Sequence, residues 1–124
     1  MCKLVVVSPV QLPVLSPRER QAGGCCVAAV QPDLTERSAV DLAFVVKALA
    51  DPTRLRVVDA LRKSAPEALC QCELVPLFEM SQQALSRHLK VLSTAGVIGS
   101  ERRGTWTYYY VLPETLEALR TWLS

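Results

Sequence analysis

The chain has 124 residues, 50% of them hydrophobic and 21% charged. That length fits one domain with a tail, and the composition excludes a disordered or fibrous chain. The net charge of +2 is too small to announce nucleic-acid binding, and no apolar run is long enough to span a bilayer. The apolar opening is broken by Lys3, Pro9 and Pro13, which argues against a secretory signal, so a cytoplasmic protein is expected. Its five cysteines, Cys2, Cys25, Cys26, Cys70 and Cys72, are an odd number. In a reducing compartment, clustered thiols point to metal or redox chemistry more than to structural disulfides.

Residues 1–34 hold four of the eight prolines and the pair Gly23-Gly24. Such a composition breaks regular structure, which predicts an N-terminal arm over 1–34 and a folded domain over 35–124. Leu42, Val45, Val46 and Leu49 then recur at i, i+3, i+4 and i+7, one face of a helix starting near Thr35. It stops at Asp51-Pro52, because the residue before proline is pushed out of the helical region. A second helix restarts there, with Asp51 as N-cap and Pro52 at the first helical position, and runs to about Lys63. After the loop "SAPEA", Leu74, Leu77 and Phe78 predict a short helix beginning near Cys70 to Cys72.

The strongest local pattern is "SQQALSRHLKVLSTAGVI". Ser81 caps a helix whose apolar face is Leu85, Leu89 and Leu92, and Gly96 ends it with a left-handed residue. Two helices joined by so tight a turn are a helix-turn-helix candidate. "VIGSERRGTWTYYYVLP" then reads as a hairpin with Arg103-Gly104 at its tip, and "PETLEALRTWLS" as a closing helix with Leu116, Leu119 and Leu123 on one face. The predicted class is α+β, mostly helical. From Ser81 to Thr107, Arg87, Lys90, Arg102 and Arg103 stand against Glu101 alone, a net of +3. One segment thus carries more than the whole chain's excess charge, the local signature to which a phosphate backbone responds.

A helix-turn-helix followed by a hairpin with a basic tip is a winged helix. Through "KALADPTRLRVVDAL", "SQQALSRHLKVLSTAGVI" and "RRGTWTYYYV", the chain from about Ala43 to Val111 resembles the ArsR/SmtB family of metal-responsive bacterial repressors. The resemblance implies a homodimer through the first and last helices, binding double-stranded operator DNA with the second helix of each helix-turn-helix in the major groove. It implies no enzymatic activity, no organic cofactor and no membrane. Carried onto this sequence, the reading helix spans about Ser81 to Ala95 and presents Ser81, Gln82, Gln83, Ser86, Arg87, His88 and Lys90 on its exposed face. Gln pairs bidentately with adenine, Arg with guanine, and Ser or Lys with phosphate. Arg102, Arg103 and Gly104 put the wing tip on the neighbouring backbone. Polar residues on an outer helix face are more often simply solvated; the turn, the wing and the local charge together weigh against that here.

Arsenite-sensing relatives in the resembled family carry Cys-x-Cys-x-x-Cys at the start of the helix before the reading helix. Here the first two positions are Cys70 and Cys72, and the third is Val75. Trivalent arsenic or antimony, the inducers the resemblance implies, take three thiolates, and soft ligands select soft centres. The arm offers Cys25 and Cys26 behind Gly23-Gly24. The expected metal ligands are therefore Cys25, Cys26 and Cys70, with Cys72 as competing or fourth donor. Residues two apart on a helix point about 200° apart, so one of the pair faces the arm if the helix has begun. If it starts later both contribute, and a four-sulfur site for cadmium or lead is the alternative. Zinc sites of the family on the last helix need histidine, and that helix offers only Glu114 and Glu117. A thiol redox protein built on Cys25-Cys26 lacks the Cys-x-x-Cys spacing and a nearby histidine.

Overall fold

The computed structural model describes residues 30–124. The arm expected over 1–34 falls almost wholly before them, and Cys2, Cys25 and Cys26 lie outside the described residues. Helix α1 (Glu36–Leu49) opens on Thr35, whose side chain accepts from the Ser38 N–H at 3.1 Å. Helix α2 (Pro52–Ser64) opens on Asp51, which accepts from the Arg54 N–H at 3.1 Å, with Pro52 in the first turn where its missing donor costs nothing. Both starts fall where the capping residues set them.

A two-residue strand, β1 (Leu69–Cys70), leads directly into α3 (Gln71–Phe78). Glu79, in the left-handed region at φ 49°, ends α3, and three residues separate it from α4 (Gln82–Thr94), which Ser81 caps by accepting from the Ala84 N–H at 3.1 Å. Gly96, at φ +75°, turns the chain out of α4 as its glycine allows. The hairpin β2 (Ile98–Arg103) and β3 (Trp106–Val111) follows, then α5 (Pro113–Leu123). The antiparallel sheet has the order β1-β3-β2, with Ile98 opposite Val111, Arg103 opposite Trp106, and Cys70 opposite Tyr108.

From Asp33 onward these elements form one compact unit. Val57, Val58 and Leu61 of α2, Leu74 of α3, Leu85, Leu89 and Leu92 of α4, and Val97 and Ile98 make its core. Each such leucine contributes roughly 1.5–3 kcal/mol by leaving water. The three α4 leucines come from the stripe read in the sequence, so one face of α4 is fixed inward and the opposite face is left to solvent.

The first and last helices are differently placed. Only Ala48 of α1 is buried and none of α5; Val46, on the apolar face read for α1, is 42% exposed. Val40, Phe44, Trp122 and Leu123 are also more than half open. Leu123 continues the α5 face of Leu116 and Leu119 but is exposed where they are half-buried. Both helices are more apolar than their packing among the described residues requires.

Candidate nucleic-acid interface and thiol pair

On α4 the leucine stripe turns Gln82, Gln83, Ser86, Arg87 and Lys90 to solvent, with Ser81 exposed just before them. Arg87 and Lys90 also edge an apolar cavity of about 500 Å³ between α1 and α4, floored by Phe44, Ala48, Val91 and Ala95. On the hairpin, Gly104 at φ +65° makes the tight turn, and a Cβ there would meet nothing within 4 Å. Arg102 is exposed and makes no ion pair among the described residues. Arg103 is held differently: its Nε donates to Glu101 at 3.1 Å, and its guanidinium lies 4.5 Å from the centre of the Tyr108 ring. The hydrogen bond and charge of Glu101 raise the Arg103 pKa above its ordinary value, so part of its charge is already answered.

His88 departs from the face on which the sequence reading put it. Its side chain is only 24% exposed, with Nδ1 3.3 Å from Arg54 Nη1 and 3.9 Å from Asp51 Oδ2. Arg54 in turn donates from Nε to the Ala48 carbonyl at 2.6 Å. That carbonyl lies in the last turn of α1, where no intrahelical donor remains. Arg54 thus caps α1 and ties it to the middle of α4. The Arg54 backbone N–H holds the Asp51 carboxyl below its ordinary pKa, against a smaller opposing effect of desolvation.

At the β1–α3 junction, Cys70 is fully buried and its Sγ accepts from the Cys72 N–H at 3.2 Å, so a cysteine acts as the N-cap of α3. The cap residue is extended (φ −68°, ψ 147°), the helix begins only at Gln71, and the two sulfurs converge as a disulfide with the Cα atoms 5.1 Å apart. The helical period that would set them about 200° apart does not apply to a cap, so both sulfurs sit at one place. Among the described residues no group of three or more Cys, His, Asp or Glu side chains comes together. Between the cysteines, Gln71 points its amide at α4: Nε2 is 2.7 Å from Ser86 Oγ and 3.2 Å from the Gln82 carbonyl.

Residues 51–100 match the bacterial regulatory protein family arsR. The chain is 37% identical over 92 residues to the arsenic resistance transcriptional regulator ArsR1 of Pseudomonas putida, covering 65% of this chain and 70% of that one. It is 41% identical over 73 residues to the arsenical resistance operon repressor of Bacillus subtilis, covering 59% and 68%. The chain belongs to the ArsR family. A homodimeric winged helix-turn-helix DNA-binding domain from Mycobacterium bovis, solved in solution, superposes with a TM-score of 0.61 at 26% identity over 77% of this chain and 89% of that domain.

The ArsR chain is accordingly a winged-helix transcriptional regulator and not an enzyme. No helix among the described residues is long and apolar enough to cross a membrane. Two residues of the site escaped the sequence reading. Arg54 lies in "DPTRL", where only its helical context was used. Gln71 lies in "LCQCELV", between the two thiols, where no periodicity marks it. His88 did leave a signal, being three residues after Leu85 and four before Leu92, which puts a polar residue beside the buried stripe.

Proposed function

We infer that this ArsR-family regulator is a cytoplasmic repressor that binds operator DNA as a homodimer and lets go when trivalent arsenic or antimony is held by cysteine thiolates. The observation that carries this reading is the convergence of the Cys70 and Cys72 sulfurs at the start of α3, the helix joined to α4 by three residues. Opening the disulfide takes two electrons and two protons from two molecules of a low-molecular-weight thiol, which join as one disulfide. Arsenous acid then exchanges each hydroxyl for a thiolate; the hydroxyl leaves as water with the thiol's proton, and arsenic stays trivalent.

Cys25 and Cys26 are the donors proposed to complete a three-sulfur centre with Cys70, and Cys72 stands beside it as the competing or fourth donor. The apolar side chains left open on α1 and α5, Val40, Phe44, Trp122 and Leu123, support dimerisation through those helices. In such a dimer two copies of α4 meet successive major-groove faces about 34 Å apart, with Gln82, Gln83, Ser86 and Arg87 toward base edges and Lys90, Arg102 and Arg103 toward phosphate. A small change in dimer geometry weakens both half-sites together, by about 1–3 kcal/mol in typical couplings.

The test is fluorescence anisotropy on a duplex selected by the reduced protein from a random library, with arsenite, antimonite, cadmium, lead or hydrogen peroxide titrated in separately at fixed salt. Wild type is expected to release the duplex with arsenite or antimonite, and Cys25→Ser, Cys26→Ser and Cys70→Ser each to hold it. Unchanged affinity in wild type with arsenite rejects the reading. Release by cadmium or lead alone moves it to the four-sulfur alternative, and release by peroxide alone to an oxidant sensor. Normal release from both arm variants removes Cys25 and Cys26 from the ligand set.

A further inference from the structure

We propose that Gln71, the residue between the two cysteines, is the positioning residue through which occupation of the thiol pair changes the pose of the reading helix. This rests on the function proposed above. Gln71 is the first residue of α3, and its backbone is continuous with both donors. A centre held by Cys70, with or without Cys72, draws the further donors against the start of α3. The β1–α3 junction takes a new position, and Gln71 moves with it.

The side chain of Gln71 ends on the first turns of α4. An amide NH₂ has two hydrogens to give, and here both acceptors belong to α4: Ser86 Oγ at 2.7 Å and the Gln82 carbonyl at 3.2 Å. Gln82 and Ser86 are four residues apart, hence on one face of the helix. The amide therefore grips one turn at two points, and Gln82 and Ser86 are among the residues proposed to meet DNA. A hydrogen bond is short in range: a displacement of about 1 Å takes either contact beyond bonding distance. Leu74 of α3 and Leu85 of α4 otherwise belong to one apolar cluster, where contact has no direction and tolerates a slide. Of the two kinds of contact, the polar one registers a small movement at the cysteines.

Gln71→Met keeps the side chain's length and a good helix former and removes both donors. In reduced protein, operator affinity is measured by anisotropy with and without arsenite, and arsenite binding by the ultraviolet absorption of arsenic–thiolate bonds in the same samples. Without arsenite the variant is expected to bind DNA more weakly than wild type, toward the arsenite-bound level. The ratio of the two affinities is expected to fall by about fivefold or more relative to wild type, while arsenite still binds. A residue that merely supports the fold lowers both affinities and leaves the ratio alone, so a smaller fall overturns the proposal. Loss of arsenite binding also overturns it, because Gln71 then belongs to the ligand site and not to the link. A wild-type ratio near one defeats the proposed function and the link together, and is told apart from failure of the link alone by the wild-type titration.

Discussion

Replacing Arg54 by Met keeps the aliphatic stem and removes the guanidinium that joins α1, α2 and α4. Two bonds are lost: a charge-assisted one from Nε to the Ala48 carbonyl at 2.6 Å, and one from Nη1 to His88 Nδ1 at 3.3 Å. A hydrogen bond with one charged partner contributes about 1.5–3 kcal/mol, and the partners left behind must find water. The Ala48 carbonyl sits over a buried residue at the negative end of α1, which adds the loss of a favourable cation. The second bond is longer, at 3.3 Å, so its share is smaller. The expected sum is about 2–3 kcal/mol, a large part of the stability of a domain this size. Urea unfolding followed by far-ultraviolet circular dichroism, at one protein concentration because a dimer's stability depends on it, measures the loss as a lower midpoint at unchanged slope. Arg54→Lys, with the charge but no planar fork, falls between. A loss below about 0.5 kcal/mol, the scale of an ordinary surface substitution, refutes Arg54 as the joint.

Gly104→Ala meets no neighbouring atom yet forces an L-residue to φ +65°; the cost is about 1–2 kcal/mol in urea unfolding, and Gly104→Asn costs less. Arg102→Ala is expected to weaken binding to selected and scrambled duplexes alike and to lower the slope of log affinity against log salt by about one. Arg103→Ala is expected to lower that slope less, because Glu101 already faces its charge; equal slopes for the two variants contradict this. Asp51 has a folded-state pKa below the ordinary 3.8, so its contribution is present above that value and is lost as pH falls through the lowered one. Asp51→Asn keeps a capping side chain without the titration, and its urea midpoint is expected to drop less than wild type's between about pH 6 and pH 3.

The architecture was legible because its punctuation is local. Asp51-Pro52, Ser81 and Gly96 start and stop helices by side-chain capping and backbone freedom, and these act within a few residues. The leucine stripe of α4 likewise needs only its own period. The site was less legible because its contacts are not local. Gln71 reaches partners 11 and 15 residues on, and Arg54 reaches His88 across 34, distances over which no periodicity speaks. The cysteine pair leaves two cases open in the sequence, according to where the helix begins; Cys70 is the cap and keeps extended backbone angles, and cysteine is not among the residues that announce an N-cap, so the sequence alone does not choose between them.

The same junction reaches the second DNA-binding element through the backbone. Cys70 pairs with Tyr108 across β1 and β3, and the Tyr108 ring carries the Arg103 guanidinium at 4.5 Å. From one pair of cysteines, then, a side chain leads to the reading helix and a strand leads to the wing. The routes differ in kind: hydrogen bonds of one amide are lost with about an ångström of movement, whereas a strand pair moves as a unit with its neighbour. If the metalloid displaces the junction, the helix loses a restraint while the wing is carried along, so base contacts and phosphate contacts respond separately. Gln71→Met is therefore expected to abolish most of the arsenite effect on discrimination between selected and scrambled duplexes and to leave the smaller effect on scrambled duplex, which the wing governs, in place. A variant that loses both in equal proportion argues that wing and helix move as one rigid piece.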